Sequence, residues 1–478
     1  MPLANALATI ESAPPGPTVG AFFDFDGTLI DGYSAVPYIT DRIRRGAMGL
    51  DEMADVVRFA MRRHMDEREF AQVLDRSLAV WRGHAEAEVA ALWLRLFREK
   101  IAARLFPEAW TLVKAHQRRG HTVVIASSAL DYQVAPTADE LGITDRLCTR
   151  AEVLDGRLTG AVVGAPLWGR GKAEAVIAFA DSRGIALGQS HGYANGNEDI
   201  AFLETVGHAH AVNPQPALRL AATQTGWPAL QFKPRARTSP AALARSLGAY
   251  STLAATALGG LAWGVTTGRR RAAAETATRV SSEAVLGMGG IEVAVTGEAH
   301  LWAHRPAVFL FNHQSSLDAY VLFSLLKHGV TAVAKKEMAN APLVGPLLQA
   351  LDFAFIDRGN TRNAIATLQP AVDRLRNGLS VVVAPEGTRS RSPRLGRFRK
   401  GAFRLAMQAG VPLVPIVLHN TYEMMPRGSM MLRPGTVRVS VLSPIDVTGW
   451  TTDTLDEHIA AVQALFQRAL DNPEEPAT

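Results

Sequence analysis

Three short runs in this 478-residue chain have residue types and spacing suited to chemistry. In Asn312-His-Gln-Ser-Ser-Leu-Asp318, His313 can take up a proton near neutral pH. Asp318 lies five residues on, so a turn leading into a helix brings its carboxylate to the second ring nitrogen. There it would fix the tautomer and stabilise the imidazolium. Roughly seventy residues later stands Pro385-Glu-Gly-Thr-Arg389, which offers a small turn and a guanidinium suited to bidentate phosphate contact. Near the other end, Phe23-Asp-Phe-Asp-Gly-Thr-Leu29 follows an apolar run from Val19. A carboxylate nucleophile such as Asp24 needs a second acid two positions on, here Asp26, to protonate a leaving alkoxide. It also needs a cation held by hard oxygens to neutralise a phosphate. Gly27 permits the turn and Thr28 adds a hydroxyl.

The C-terminal runs resemble the glycerolipid (PlsC-like) acyltransferase family, which moves acyl groups from a thioester to a lysophospholipid. The resemblance covers about residues 285–450 and four blocks in order: Asn312–Asp318, Phe355-Ile-Asp-Arg358, Glu386-Gly-Thr-Arg389 and Val411-Pro-Leu-Val-Pro-Ile416. It implies His313 as base with Asp318 behind it. Arg358 and Arg389 would clamp the acceptor phosphate, within a substrate site that also takes Glu386, Gly387 and Thr388. Lys335, Lys336 and Lys400 are further cations for acceptor, coenzyme or lipid phosphates. No Gly-x-Ser-x-Gly motif or reactive cysteine accompanies them, so direct attack on the thioester fits better than an acyl-enzyme. The implied reaction is acylation of 1-acylglycerol-3-phosphate to phosphatidate from acyl-CoA or acyl carrier protein.

The N-terminal run resembles the haloacid-dehalogenase-like phosphatases, in their phosphoserine-phosphatase-like subgroup. That resemblance implies Ser127 as phosphate-binding hydroxyl, Lys172 as charge partner of the phosphoryl group, and Mg²⁺ held by Asp24, Asp26, Asn195 and Asp199. Asn195 departs from the family pattern, because an amide is a poorer Mg²⁺ ligand than a carboxylate. The alternative reading is therefore an acyltransferase for another lysophospholipid with a non-catalytic, regulatory N-terminal domain. His208 and His210, in Gly207–Pro214, are read as structural.

The elements that must position these residues follow from pattern. Apolar runs at Val19–Phe23 and Thr122–Ala126 read as buried parallel strands, as do 307–311, 331–334, 353–356, 380–384 and 414–418. The expected fold is α/β throughout: a Rossmann-like parallel sheet with a helical cap at about 34–118, then an α/β acyltransferase domain. Residues 1–18 read as a flexible leader, 19–222 as the phosphatase domain, 223–245 as a basic linker and 272–478 as the acyltransferase domain. Residues 246–271 are a membrane-anchor candidate. Ser246–Gly268 has 23 residues without a charge but five glycines. Its length suits a bilayer, while its weak hydrophobicity favours an interfacial anchor or a buried small-residue helix.

Apolar content of 47% and charged content of 20% are globular values and exclude a mainly disordered chain. The net charge of +5 is concentrated at Arg389–Lys400, which holds six cations and no acid. That run suits phosphates or an anionic membrane surface. With one aromatic, Phe398, and no recognition motif, no nucleic-acid partner is expected. The lone Cys148 excludes an intrachain disulfide and fits a reducing compartment. No secretory signal is read at the N-terminus. The expected location is the cytoplasmic face of the cell membrane, peripheral or shallowly anchored.

Overall fold

The computed structural model describes residues 2–49, 66–235, 240–340, 344–356, 368–427 and 429–472. The chain divides into two compact units, residues 1–237 and 238–478.

The first unit is built on strands β1 (Gly20–Phe23), β2 (Thr122–Leu130), β3 (Asp145–Thr149), β6 (His191–Ala194), β7 (His208–Val212) and β8 (Ala229–Leu230). Their order is β3-β2-β1-β6-β7-β8, with all pairs parallel. Phe22 and Phe23 point to opposite faces by the two-residue strand period and fall in separate cores. Phe23 packs with Leu112, Val113 and Val134, and Phe22 packs with Val176, Phe202 and Leu218. Because β1 lies between β2 and β6, the chain reverses direction across the sheet there. Ligand crevices form at the carboxyl ends of such strands.

Three expectations are corrected in this unit. Residues 2–12 are a helix, Pro2–Ser12, whose Ala6 and Ile10 enter the core, so the leader is anchored by apolar burial rather than loose. The cap comprises helices Ala35–Arg44, Glu67–Ala79 and Glu86–Leu96, with Tyr38 stacked between Trp81 and Trp93. It stops before helix Pro107–Arg118, which buries Leu112 and Val113 in the sheet's own core. The linker is shorter than 223–245, because β8 extends the sheet, Phe232 is buried and the Arg235 N–H donates to Asp31 (2.6 Å). An antiparallel hairpin, β4 (Ala151–Leu154) with β5 (Arg157–Val162), was not foreseen.

The second unit carries β9 (Ile291–Thr296), β10 (Val308–Phe311), β11 (Val330–Lys335), β12 (Ala354–Ile356), β13 (Ser380–Val383), β14 (Leu413–Leu418) and β15 (Gly435–Val441). The order is β12-β11-β13-β10-β14-β15-β9, parallel except for β14 against β15. Ahead of it, helices Pro240–Thr267 and Arg270–Gly289 form a tight hairpin. Small residues allow the close approach: a Cβ on Gly260 would stand 2.4 Å from that of Ala277. Thr256 and Ser281 share a hydroxyl–hydroxyl bond of 2.6 Å across it. Among the described residues, no helix is long and apolar enough to cross a membrane. The anchor candidate at 246–271 covers most of the first arm of this helical hairpin, the turn and the first two residues of the second arm.

Candidate active sites

In the second unit, three neighbouring strands deliver the site from their carboxyl ends. His313 follows β10, Glu386 follows β13 and Thr421 follows β14. The His313 Nδ1 lies 2.7 Å from Asp318 Oδ2, a length typical of a charge-assisted bond. Asp318 is fully buried in the first turn of helix Leu317–Leu326, where the helix dipole favours negative charge. Its Oδ2 also accepts the backbone N–H groups of Gln314 (2.8 Å) and Ser315 (2.9 Å). Its Oδ1 accepts the Thr421 hydroxyl at 2.5 Å. The His313 ring stays 28% exposed and its Nδ1 is taken by Asp318, so Nε2 is the ring nitrogen open to an entering group.

Two further residues lock this loop. The Asn312 amide pairs twice with the Leu418 peptide, at 2.8 Å each way, tying β10 to β14. Glu386, buried, accepts the backbone N–H of His313 and of Gly396, both at 2.8 Å. Burial pushes its carboxyl up, against the pull of those two donors. Glu386 therefore ties the His313 loop to Gly396, inside the basic segment 389–400. Gly387 turns with φ +73° against the Arg399 side chain, 3.2 Å from where a Cβ would sit, and Thr388 is exposed.

Arg389 donates to the Ser316 hydroxyl, and Arg427 donates to the Arg389 carbonyl (2.7 Å). Burial, then the charges of Arg391 and Arg389, lower the Arg427 guanidinium's affinity for its proton. Arg389 and Arg391 thus lie close enough to Arg427 for their charges to act on it, Arg389 reaches the His313 loop through Ser316, and none of the three is in an ion pair among the described residues. Such a group suits a phosphate. Arg358 lies outside the described residues, as do the side chains of Lys335 and Lys336. Lys400 pairs with Asp456 (2.8 Å).

In the first unit, Asp24 follows β1 and is buried with Lys172, whose Nζ donates to Asp24 Oδ1 (2.8 Å) and to Asp199 Oδ1 (2.6 Å). Burial raises the Asp24 carboxyl to about 6 despite the Lys172 charge, while Lys172 itself is raised by the two carboxylates against its own burial. Asp26 is turned to the Ser34 N–H (2.7 Å) and hydroxyl (3.1 Å), and burial raises it to about 7. Thr28 donates towards Asp24 Oδ2 (3.3 Å) and Asn195 Oδ1 (3.4 Å). Ser127 is buried on β2, next to β1, and its oxygen accepts the Ala129 N–H (3.1 Å).

Of the four expected metal ligands, Asp24, Asp199 and Asn195 stand together, bridged by Lys172 and Thr28, while Asp26 is turned away to Ser34. Asp199 is committed to Lys172 and Asp26 to Ser34. Among the described residues, no group of three or more acids, histidines or cysteines could hold a metal ion. Asp24 is also held by Lys172 through Oδ1, but its Oδ2 lies on the side of Thr28 and the Asn195 amide oxygen. A Cβ on Gly27 would meet Asn195 Nδ2 at 2.1 Å, so the glycine leaves the amide its place. Mg²⁺ takes hard oxygens, often one or two carboxylates with waters completing the shell. The residues fit that ion with this smaller set.

Residues 292–419 match the acyltransferase family model, and residues 21–204 match the haloacid dehalogenase-like hydrolase model. A 1-acyl-sn-glycerol-3-phosphate acyltransferase of Limnanthes douglasii is 34% identical over 193 residues, 40% of this chain and 68% of its own. A phosphoserine phosphatase of Mycobacterium tuberculosis is 33% identical over 266 residues, 54% of this chain and 84% of its own. The chain belongs to both families. It is an enzyme with an acyltransferase domain and a haloacid dehalogenase-like phosphatase domain. The crystal structure of the PlsC acyltransferase from Thermotoga maritima, 23% identical, aligns with a TM-score of 0.41 over 49% of this chain and 97% of that one.

Sequence reading missed Ser34, Ser316, Thr421 and Arg427. Each acts across a loop or strand end, and a single sequence holds no spacing that pairs position 421 with 318. Cys148 is buried and its thiol is pushed up to about 12 by that burial, which makes it unreactive.

Proposed function

We propose that the second unit acylates 1-acylglycerol-3-phosphate to phosphatidate, using acyl-CoA or acyl carrier protein. The observation that carries this is the His313–Asp318 bond in a loop whose Ser316 is met by Arg389, one of three arginines, with 391 and 427, whose charges act on one another. The arginines hold the acceptor phosphate. His313 Nε2 takes the proton of the acceptor hydroxyl as its oxygen attacks the thioester carbonyl. The carbon–sulfur bond then breaks, and the imidazolium returns the proton to the departing thiolate. Asp318 holds the ring and stabilises its charged form.

The first unit is a Mg²⁺-dependent phosphatase in this reading. Asp24 and Asn195 would hold the ion, which when bound supplies positive charge against the phosphate. Asp24 attacks phosphorus to form an aspartyl-phosphate, and Asp26 gives its proton to the leaving alkoxide. A carboxyl raised to about 7 by burial still carries that proton near neutral pH. Ser127 and Lys172 hold the transferred group. Water then hydrolyses the acyl phosphate.

The protein would work at the cytoplasmic face of the membrane, held by its helical hairpin. Leu243, Leu247, Leu258 and Val265 are exposed there, followed by exposed Arg269 and Arg270. The test is a double dissociation on full-length protein. His313→Ala lowers acyl-CoA-dependent phosphatidate formation by about 10³-fold and leaves Mg²⁺-dependent phosphate release intact. Asp24→Asn does the reverse. Wild-type protein that makes no phosphatidate would end the acceptor assignment. If phosphate release from a panel of phosphomonoesters is the same for Asp24→Asn and wild type, the first unit is a non-catalytic module.

A further inference from the structure

We propose that Thr421 is a positioning residue of the His313–Asp318 pair, setting which carboxylate oxygen faces the base. The proposal rests on the reading of His313 as the base. Three of the contacts to Asp318 come from its own loop, through His313, Gln314 and Ser315, and all three meet Oδ2. Thr421 comes from a different strand end, after β14, and meets Oδ1 at 2.5 Å. It is fully buried, so no water competes for that oxygen. A threonine at the start of a helical turn ordinarily bonds to its own backbone. Thr421 opens the turn Thr421–Met424, yet its hydroxyl reaches across to Asp318, with Gln314 Oε1 at 3.5 Å. The neighbouring backbone is fixed independently: Ser315 donates to the Met425 carbonyl at 2.6 Å. The Thr421 hydroxyl is therefore not needed to dock the turn. It draws charge to Oδ1 and holds the carboxylate against rotation, which leaves Oδ2 for the imidazole.

Removing that donor has two consequences. The carboxylate gains rotational freedom, and its charge concentrates on the oxygen facing His313, so the ring keeps its proton to higher pH. Thr421→Val keeps the shape and deletes the bond. Thr421→Ser keeps the bond. The experiment is a titration of the His313 ring by NMR of histidine-labelled full-length protein, assigned by comparison with His313→Gln, together with kcat and KM for the acylated acceptor. In Thr421→Val we expect the His313 midpoint and the acidic limb of the kcat profile to move up together by about half a pH unit. There kcat falls about tenfold at neutral pH with KM within twofold, and Thr421→Ser restores both. If the valine variant does not fold, Thr421→Ala is expected to show the same direction. An unmoved His313 midpoint in a folded Val or Ala variant overturns the proposal. Absence of acyl transfer by wild type would instead remove the acyltransferase substrate reading, while the ring titration still decides Thr421.

Discussion

At the scale of single residues, the placement of His313 depends on side chains that bond to its loop rather than to its ring. Glu386 is the sharpest case. Each of its carboxylate oxygens accepts one backbone N–H, from His313 and from Gly396. A glutamine keeps the size but presents an N–H₂ to one of those N–H groups, leaving donor against donor. Leaving a buried donor unsatisfied costs about 1–3 kcal/mol, and here the strain falls on the peptide that carries the base. Glu386→Gln should lower kcat about 10- to 100-fold while the melting temperature drops only a few degrees. Thermal melts and initial rates on one preparation decide it, and a variant with wild-type kcat would reduce Glu386 to a spectator. His313, Asp318 and the Glu386–Arg389 turn were legible in the sequence because their spacing is local. What Glu386 holds was not legible, since the Gly396 N–H reaches it only through the path of the intervening loop.

At the scale of elements, apolar runs gave away β1, β2, β10, β13 and β14, which are buried on both faces. β9 alternates along its length and β15 only in its first half, and polar residues interrupt both, so neither holds such a run. The same limit hid a histidine layer between β6, β7 and helix Pro107–Arg118. The register pairs His191 with His208 and Tyr193 with His210, while His116 Nδ1 lies 2.8 Å from His121 Nδ1 and its Nε2 lies 3.0 Å from the Tyr193 hydroxyl. His191 is fully buried and neither ring nitrogen has a partner. Burial lowers His191 to about 3 and His210 to about 4, from an ordinary 6.5. These rings are neutral in the fold and take up protons on unfolding, so their contribution is complete above pH 6.5 and declines as pH falls towards 4 and 3. Asp26 and Glu198, both raised to about 7 by burial, act in the opposite sense over an overlapping range. The comparison that isolates the histidine is therefore His191→Phe against wild type. Phenylalanine removes two unsatisfied nitrogens and the titration, so the variant should melt higher at pH 7 and its advantage should widen steadily to pH 4. A constant difference across that range would show that His191 is not the titrating group.

At the scale of the whole molecule, each unit has its own sheet and its own core, and each matches its own enzyme family. The helical hairpin was legible as an uncharged stretch, but its glycines made it ambiguous, because a small residue serves a tight helix pair and weakens a membrane helix alike. The pairing resolves part of this: Gly260 and Gly264 face the second helix, so their smallness serves packing. The outer side then becomes readable. At 3.6 residues per turn, Leu243, Leu247, Leu258 and Val265 fall within roughly 60° of one another on helix Pro240–Thr267. All four are exposed, at 48%, 59%, 53% and 71%. Arg269 and Arg270 stand at the turn, while Arg271 is spent on Glu275 and Asp352. An apolar stripe ending in two arginines that have no acid partner among the described residues has the make-up of an interfacial anchor on anionic lipid. Burying a leucine side chain is worth about 1.5–3 kcal/mol, so two acidic replacements on the stripe should weaken vesicle binding by more than tenfold. Full-length Leu247→Glu/Leu258→Glu should stay in the pellet fraction when floated with phosphatidylcholine–phosphatidylglycerol vesicles, while wild type rises with them. The variant should keep its turnover of a short-chain soluble acceptor, since both leucines are exposed and neither bonds to His313, Asp318 or Glu386. Wild type should also rise less well as salt is increased, by loss of the arginine contribution. Equal flotation of variant and wild type would remove the hairpin as the membrane-binding surface and leave the basic segment 389–400 to account for any lipid dependence.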